Sequence, residues 1–199
     1  MNFKTTFLAL SMFASTSHAI TITIAPYNQA TDEQAITHLI KLTVDAYIAE
    51  SSVMQSDVTK PLPEVIFEAD QIIDMILETA NTPDLYTTLV LKESSSIEGF
   101  IVIGHDGAFP DEKEVIANIG NFTVVGNNPH YNEYRSLLLG QAIKHVLLEN
   151  VVTKIRWIIS PESAMSQDFI SVLEQHGFKY AKNYHTFAVY ELDLGKKIK

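Results

Sequence analysis

Hydrophobic residues recur along most of this chain with either the two-residue period of a strand or the three-to-four-residue period of a helix. Isoleucine and threonine alternate over residues 20–25 and stop at Pro26, which predicts a first strand. Thr31 followed by Gln34 matches a capping box, and the apolar residues after it keep helical spacing to about Glu50. The chain is therefore predicted to begin with a strand and a helix.

A second helix is predicted after a polar loop. The loop covers residues 51–63 and contains two prolines near its end. From Glu64 onward the apolar residues again share one helical face, and Asn81 and Pro83 close the helix. The residues on that face are Val65, Ile66, Ala69, Ile72, Ile73, Ile76 and Ala80.

Three short runs rich in β-branched and aromatic residues follow, at 85–91, 97–103 and 119–125. The polar segment 93–96 between the first two is typical of a hairpin. The loop 105–112 contains a glycine and a proline and leads to the third run. Strands joined by short turns pair antiparallel, so the pattern predicts a meander.

The second half of the chain alternates helices and strands. After the turn-rich segment 126–129, a helix is indicated by apolar residues at helical spacing: Leu139, Ala142, Ile143, Val146 and Leu147. A strand is predicted at 154–159 and a helix at 163–176, with Gly177 in its C-cap position. A last strand is predicted at 186–192.

Composition limits the possible partners. The chain has 199 residues, enough for one domain, and its 46% apolar content includes no run long enough to span a membrane. The formal charge of −10, without a basic cluster before the C-terminal lysines, argues against nucleic acid and favours cationic partners such as amines. No cysteine is present, and no histidines or carboxylates have metal-ligand spacing, so no metal is expected.

The first 19 residues have the pattern of a signal peptide. One positive charge precedes an apolar core at 7–14, and Ser17-His18-Ala19 places small residues where a signal peptidase cleaves. We therefore expect cleavage before Ile20, export to the periplasm or medium, a single domain over 20–194 and a flexible tail at 195–199. The alternative is an N-terminal helix or arm on a cytoplasmic protein.

The predicted order β-α-α-β-β-β-α-β-α-β describes an α/β (α+β) fold with a mixed, mainly antiparallel central sheet flanked by helices on both faces. In this order the chain resembles the GCN5-related N-acetyltransferase (GNAT) superfamily from residue 20 to 192. Arg135 followed by Gly140 is similar to the family's Arg/Gln-x-x-Gly-x-Gly/Ala pyrophosphate loop, and Gly177-Phe178 is similar to the exit of its penultimate helix. The resemblance implies an acyl-CoA N-acyltransferase fold.

The resemblance also implies a site for acetyl-CoA, the acyl-CoA co-substrate, between the strands that end near Val125 and Ser160. The pantetheine arm would pair with main-chain groups of Phe122, Thr123, Val124 and Val125. The diphosphate would lie on the turn that contains Arg135, Ser136, Leu138, Leu139, Gly140 and Gln141. Leu138 stands where the family has its first glycine, so its side chain points either into the core or into the diphosphate site.

Two positions that carry catalytic groups in the family hold other residues here. Leu173 stands where the family has a proton-donating tyrosine, and the central strand offers Asn118 and Asn121 instead of a glutamate base. Substitutes within reach of the site are Glu133, Tyr134 and Tyr184, with His130 and Tyr131 beside them.

Two functions follow. The first is an acyl-CoA-dependent N-acyltransferase that moves an acetyl group to a small-molecule or protein amine by direct attack on the thioester. Because positioning alone can lower a barrier by several kcal/mol, a weak acid and base set is compatible with it. The alternative is an exported, non-catalytic binding domain that has lost these residues.

Overall fold

The computed structural model describes residues 21–55, 69–105, 114–126, 128–149, 151–159, 164–185 and 187–195. The predicted signal peptide, the first residues of the predicted second helix and residues 196–199 of the predicted tail lie outside them. In the described part of the chain no helix is long and apolar enough to cross a membrane.

The described residues form seven strands and four helices. The strands are β1 (Ile22–Pro26), β2 (Tyr86–Glu93), β3 (Ser96–Gly104), β4 (Ile116–Val124), β5 (Lys154–Ile159), β6 (Lys179–Tyr184) and β7 (Phe187–Asp193). The helices are α1 (Gln29–Gln55), α2 (Ala69–Ala80), α3 (Tyr131–Leu148) and α4 (Ala164–Gln175).

All seven strands belong to one sheet with the order β1-β2-β3-β4-β5-β7-β6. The pair β4 and β5 is parallel, and every other neighbouring pair is antiparallel. The predicted meander of β2, β3 and β4 is confirmed, and so is the mixed, mainly antiparallel sheet. The single parallel pair places the carboxyl ends of β4 and β5 at the same end of the sheet.

Each face of the sheet is covered by helices. Helices α3 and α4 cover one face, and the larger core there includes Leu139, Ala142, Trp157 and Phe169. Helices α1 and α2 cover the other face over β2, β3 and β4, where Ile36 contributes to a second core. These residues were predicted to face inward from their spacing, and they are buried.

Strand β6 was not predicted from the sequence. Its six residues, Lys-Tyr-Ala-Lys-Asn-Tyr, are all exposed, because β6 lies at the edge of the sheet and pairs only with β7. A strand that buries neither face shows no alternation of apolar and polar residues, so the usual signal is missing. The sequence predicted no strand between Gly177 and residue 186, and this prediction is wrong because β6 lies there.

Two helices begin earlier than predicted. Helix α1 is capped by Asn28, whose Oδ1 accepts a hydrogen bond from Ala30 N at 3.1 Å, and Asn28 N donates to Asp32 Oδ2 at 3.1 Å. The predicted capping box of Thr31 and Gln34 is therefore wrong by three residues. Helix α3 begins at Tyr131, eight residues before the first apolar residue that indicated it.

The predicted C-cap of α4 is confirmed. Gly177 has a φ of +88°, and its N–H donates to Glu174 O at 3.0 Å. Phe178 N donates to Leu173 O at 3.1 Å, which completes a Schellman motif. The glycine allows the left-handed conformation that turns the chain from α4 into β6.

Candidate functional site

The parallel strands β4 and β5 separate after four residue pairs. Pairing runs from Ile116 with Lys154 to Ile119 with Trp157, and no further pair forms between the described residues of the two strands. Strand β4 nevertheless continues to Val124 and β5 to Ile159. The main-chain groups of β4 beyond Ile119 that point away from β3 therefore face a gap, which we call the β4–β5 split.

A bulge in β4 lies at the start of this split. On the β3 side Ile119 pairs with Ile103 and Asn121 pairs with Val102, so Gly120 is the extra residue. A bulge bends its strand and increases the local twist, which turns β4 away from β5. The sequence carried a signal for it, since an isolated glycine inside a strand pattern is typical of a bulge.

Three aromatic rings close the split on the side of α3 and α4. The ring centroid of Phe122 on β4 lies 5.6 Å from that of Trp157 on β5 and 5.0 Å from that of Phe169 on α4. Trp157 and Phe169 lie 5.1 Å apart, edge to face. These three side chains thus form an apolar wall of the split, and the polar groups that face the split are main-chain groups of β4.

The segment predicted as a diphosphate-binding turn is helical. Arg135 to Gly140 lie in the second and third turns of α3, where each backbone N–H donates to the carbonyl four residues earlier. The prediction that amides of this segment receive a diphosphate is therefore corrected. In the first turn, Tyr131 N and Tyr134 N donate to Asn128 O and His130 O, and the amides of residues 132 and 133 have no acceptor within the helix.

Arg135 is fully buried beside the split. Its guanidinium carbon lies 3.8 Å from the ring centroids of both Tyr131 and Phe169, and its Nη2 donates to the Tyr131 hydroxyl. A guanidinium between two aromatic faces is attracted by both rings. Arg135 is therefore a buried cation and not a solvated surface charge.

Gly140 permits close contact between α3 and α4. A Cβ at this position would lie 3.2 Å from His176 Cε1, and the same histidine bonds Ser136 Oγ through Nε2 at 2.9 Å. Burial lowers the pKa of His176, so the ring is neutral near pH 7. The glycine thus has a packing role that the sequence pattern alone did not reveal.

The leucines of the same segment belong to the core. Leu138 and Leu139 are fully buried, and Leu138 Cδ1 would lie 3.0 Å from a Cβ placed at Gly99 of β3. Leu138 therefore points into the core. Gln141 is exposed on the opposite side of α3.

The structure places the three candidate catalytic side chains in the first turn of α3 and at the end of β6. The Tyr134 hydroxyl donates to Glu93 Oε2 at 2.7 Å, at the end of β2, which is two strands from β4. Glu133 is exposed and its carboxylate lies 3.3 Å from His130 Nδ1. Tyr184 ends the edge strand β6, at the same end of the sheet as the split but with β7 between β6 and β5.

Leu173 and Asn118 stand at positions where the family pattern has catalytic groups. Leu173 is fully buried in the core under α4. Asn118 neighbours Arg156 across β4 and β5, and its Oδ1 is buried without a hydrogen-bond partner among the described residues. No cluster of metal-ligating side chains occurs among residues the structure describes.

Tyr134 gives the stability of the protein a dependence on alkaline pH. Burial, followed by the hydrogen bond to Glu93, raises the pKa of Tyr134 to about 12. A raised pKa means that the stabilisation is complete below the unfolded value of about 10 and is lost as pH rises toward 12. The upper limit is about 3 kcal/mol, and because Glu93 is partly exposed we expect about 1–2 kcal/mol.

Urea unfolding at about pH 8 and about pH 11, by which about half of the loss has occurred, measures this effect against Tyr134→Phe, which cannot ionise. Burial also raises the pKa of Tyr27 and Tyr190, but both remain in the variant, so the difference isolates Tyr134. Equal losses of stability in the two proteins would contradict the assignment.

The sequence matches no protein-family model and no curated protein. Solved structures do match: PaiA N-acetyltransferase from Thermoplasma acidophilum in complex with coenzyme A superposes with a TM-score of 0.59 at 13% identity, over 87% of this chain and 99% of that one. The fold is that of the GNAT acetyltransferases.

Two further structures with the GNAT fold give the same result. YncA from Salmonella typhimurium, with its cofactor acetyl-CoA, matches at 15% identity with a TM-score of 0.57, over 89% of this chain and 96% of that one. The ribosomal-protein-S18-alanine N-acetyltransferase from Escherichia coli matches at 14% identity with a TM-score of 0.56, over 90% and 97%. The predicted acyl-CoA N-acyltransferase-like fold is confirmed.

Proposed function

We propose that this protein is an acyl-CoA-dependent N-acyltransferase that transfers an acetyl group from acetyl-CoA to an amine. The observation that carries the proposal is the β4–β5 split, where the bulge at Gly120 exposes one main-chain edge of β4. Proteins with this fold include complexes with coenzyme A and acetyl-CoA. An extended ligand with amide groups can pair with such an edge as an added strand does.

In the proposed reaction the pantetheine arm binds along the main chain of Phe122, Thr123, Val124 and Val125. The amine nitrogen attacks the thioester carbon, the new N–C bond forms, and the C–S bond breaks. The proton lost by the amine neutralises the departing thiolate, directly or through water. Positioning supplies most of the rate enhancement in this scheme, because the described side chains at the split are mainly apolar.

The acceptor in this proposal is a small-molecule or protein amine. A formal charge of −10 favours an ammonium group over an anionic group on the acceptor. Arg135 lies beside the split, and its charge would offset the negative charge of a diphosphate near the first turn of α3. No metal takes part in the scheme.

One observation favours a second candidate, an exported binding domain without catalytic activity. The carboxylates of Glu93, Glu98 and Glu133 all act on Tyr134, so the first turn of α3 has a negative environment. A negative environment disfavours a diphosphate. Export, proposed from residues 1–19, would also remove the protein from the cytoplasmic supply of acetyl-CoA.

Titration with acetyl-CoA distinguishes the two candidates. At a hundred times its dissociation constant a ligand stabilises the folded state by about 2.7 kcal/mol, which raises the thermal midpoint measurably. We expect this shift for the native protein, and binding heat in a calorimeter. The absence of both at millimolar acetyl-CoA would contradict the acyltransferase and support the binding domain.

A matched pair of variants tests the role of Arg135 separately. Arg135→Met keeps an unbranched chain between the two rings but removes the charge, and we expect at least tenfold weaker acetyl-CoA binding. Lys144→Met removes an exposed charge from the same helix and should bind like the native protein. Unchanged binding in Arg135→Met would remove Arg135 from the site and leave the acyltransferase proposal intact.

A further inference from the structure

Three polar side chains form a hydrogen-bonded chain at the end of the sheet opposite the β4–β5 split. Thr87 lies near the start of β2, His105 follows β3, and Glu149 follows α3. Thr87 Oγ1 lies 3.0 Å from His105 Nε2, and His105 Nδ1 lies 3.1 Å from Glu149 Oε2. The three elements thus bring together a hydroxyl, an imidazole and a carboxylate that are far apart in the sequence.

The chemistry of these groups fixes the direction of the hydrogen bonds. An ionised carboxylate only accepts, so His105 Nδ1 carries a proton and donates it to Glu149. In the neutral ring Nε2 then holds the lone pair, and the Thr87 hydroxyl donates to it. A hydroxyl whose proton points at an imidazole held by a carboxylate is the arrangement that activates a nucleophile.

Backbone contacts hold the histidine and the glutamate in place. His105 N donates to Leu85 O at 3.1 Å, which fixes it across from the start of β2. Glu149 N donates to Val146 O at 3.0 Å, and Glu149 Oε1 lies 4.0 Å from His145 Nε2. The side chains of His105 and Glu149 are 28% and 27% exposed, so a small molecule can reach them from solvent.

We propose that Thr87 is a nucleophile toward small activated carboxylic esters, with His105 as its base and Glu149 orienting His105. Thr87 Oγ forms a bond to the ester carbon while its proton passes to His105 Nε2. The bond from that carbon to the leaving alcohol breaks, and the alcohol takes the proton from His105. Water then releases the carboxylic acid and restores the hydroxyl.

Acetylation by 4-nitrophenyl acetate tests this proposal. After brief exposure of the full chain, peptide mass spectrometry should find an acetyl ester on Thr87 that hydroxylamine removes, unlike the amides formed on lysines. Because a general base contributes about 100-fold or more, His105→Gln and Glu149→Gln should each lower the labelling of Thr87 at least tenfold. Thr88→Val, which changes the neighbouring buried hydroxyl, should leave the labelling of Thr87 unchanged.

Labelling of the native protein tests the proposed nucleophile Thr87 even where a variant folds poorly. Absence of an ester on Thr87 in the native protein, or equal labelling in a folded His105→Gln variant, would show that the three side chains only join β2, β3 and α3. Thr87→Val should retain the response to acetyl-CoA, because Thr87 and the split lie at opposite ends of the sheet. The two proposals can therefore fail independently.

Discussion

Replacing Phe169 with alanine is expected to lower the free energy of unfolding by about 3–5 kcal/mol. The ring contacts both Phe122 and Trp157, and its other side faces the Arg135 guanidinium at 3.8 Å. Truncation leaves a cavity between α4 and two strands and removes one of the two rings that hold a buried cation. The loss therefore combines apolar burial, aromatic packing and the attraction between a cation and a ring.

Phe187→Ala is the matched control for this prediction. Phe187 lies at the start of β7 and is 43% exposed, so removal of its ring should cost less than about 1 kcal/mol. Urea unfolding followed by far-ultraviolet circular dichroism compares the two variants without relying on Trp157, the only tryptophan, which contacts Phe169. A loss below 1 kcal/mol in Phe169→Ala would show that the aromatic wall does not stabilise the split.

Helices and strands that bury one apolar face were predictable from the sequence. A strand that buries no face and a helix turn that buries a charged residue were not. The spacing of Ile36 in α1 and of Phe169 in α4 gave correct inward faces, because burial demands apolar side chains at a regular period. Strand β6 buries neither face, and the start of α3 buries Arg135, which counts as polar in any pattern. In both places tertiary contacts decide the local structure.

The split itself illustrates the same limit. Its existence followed from the resemblance of the order of elements, and the isolated Gly120 was a local signal for the bulge, but no local pattern encodes the register of the strand pairs on either side of it. The bulge at Gly120 and the change of neighbour after Ile119 occur at adjacent residues. For the segment from Arg135 to Gly140 the local pattern was misleading. It resembles a phosphate-binding loop, but the segment is helical and its glycine packs against His176.

The distribution of polar groups explains why function was harder to predict than fold. Tyr134 and Arg135 are adjacent in sequence, yet one points toward Glu93 of β2 and the other toward Phe169 of α4. Side chains of neighbouring residues on a helix diverge by about 100°, so sequence proximity to a site does not imply presence in it. The main-chain edge of β4 depends on no side chain and supports the acyltransferase proposal independently of them.

Replacing Glu191 with alanine is expected to lower the free energy of unfolding by about 3 kcal/mol, because it removes the partly exposed carboxylate that pairs with the buried Arg156 guanidinium. Arg156 is 1% exposed, and its Nε donates to Glu191 Oε1 at 2.9 Å. Lys154 also lies 3.7 Å from Glu191 but keeps Glu114 at 2.6 Å, so Arg156 bears most of the loss.

The double variant Arg156→Met with Glu191→Leu removes both charges and should recover most of the stability, since apolar residues of similar size often replace a buried pair at little cost. Urea unfolding of the native protein, Arg156→Met, Glu191→Leu and the double variant gives the coupling energy. If Glu191→Ala unfolds within 1 kcal/mol of the native protein, the pair contributes little to joining β5 and β7, and strand pairing and core packing hold that half of the sheet together.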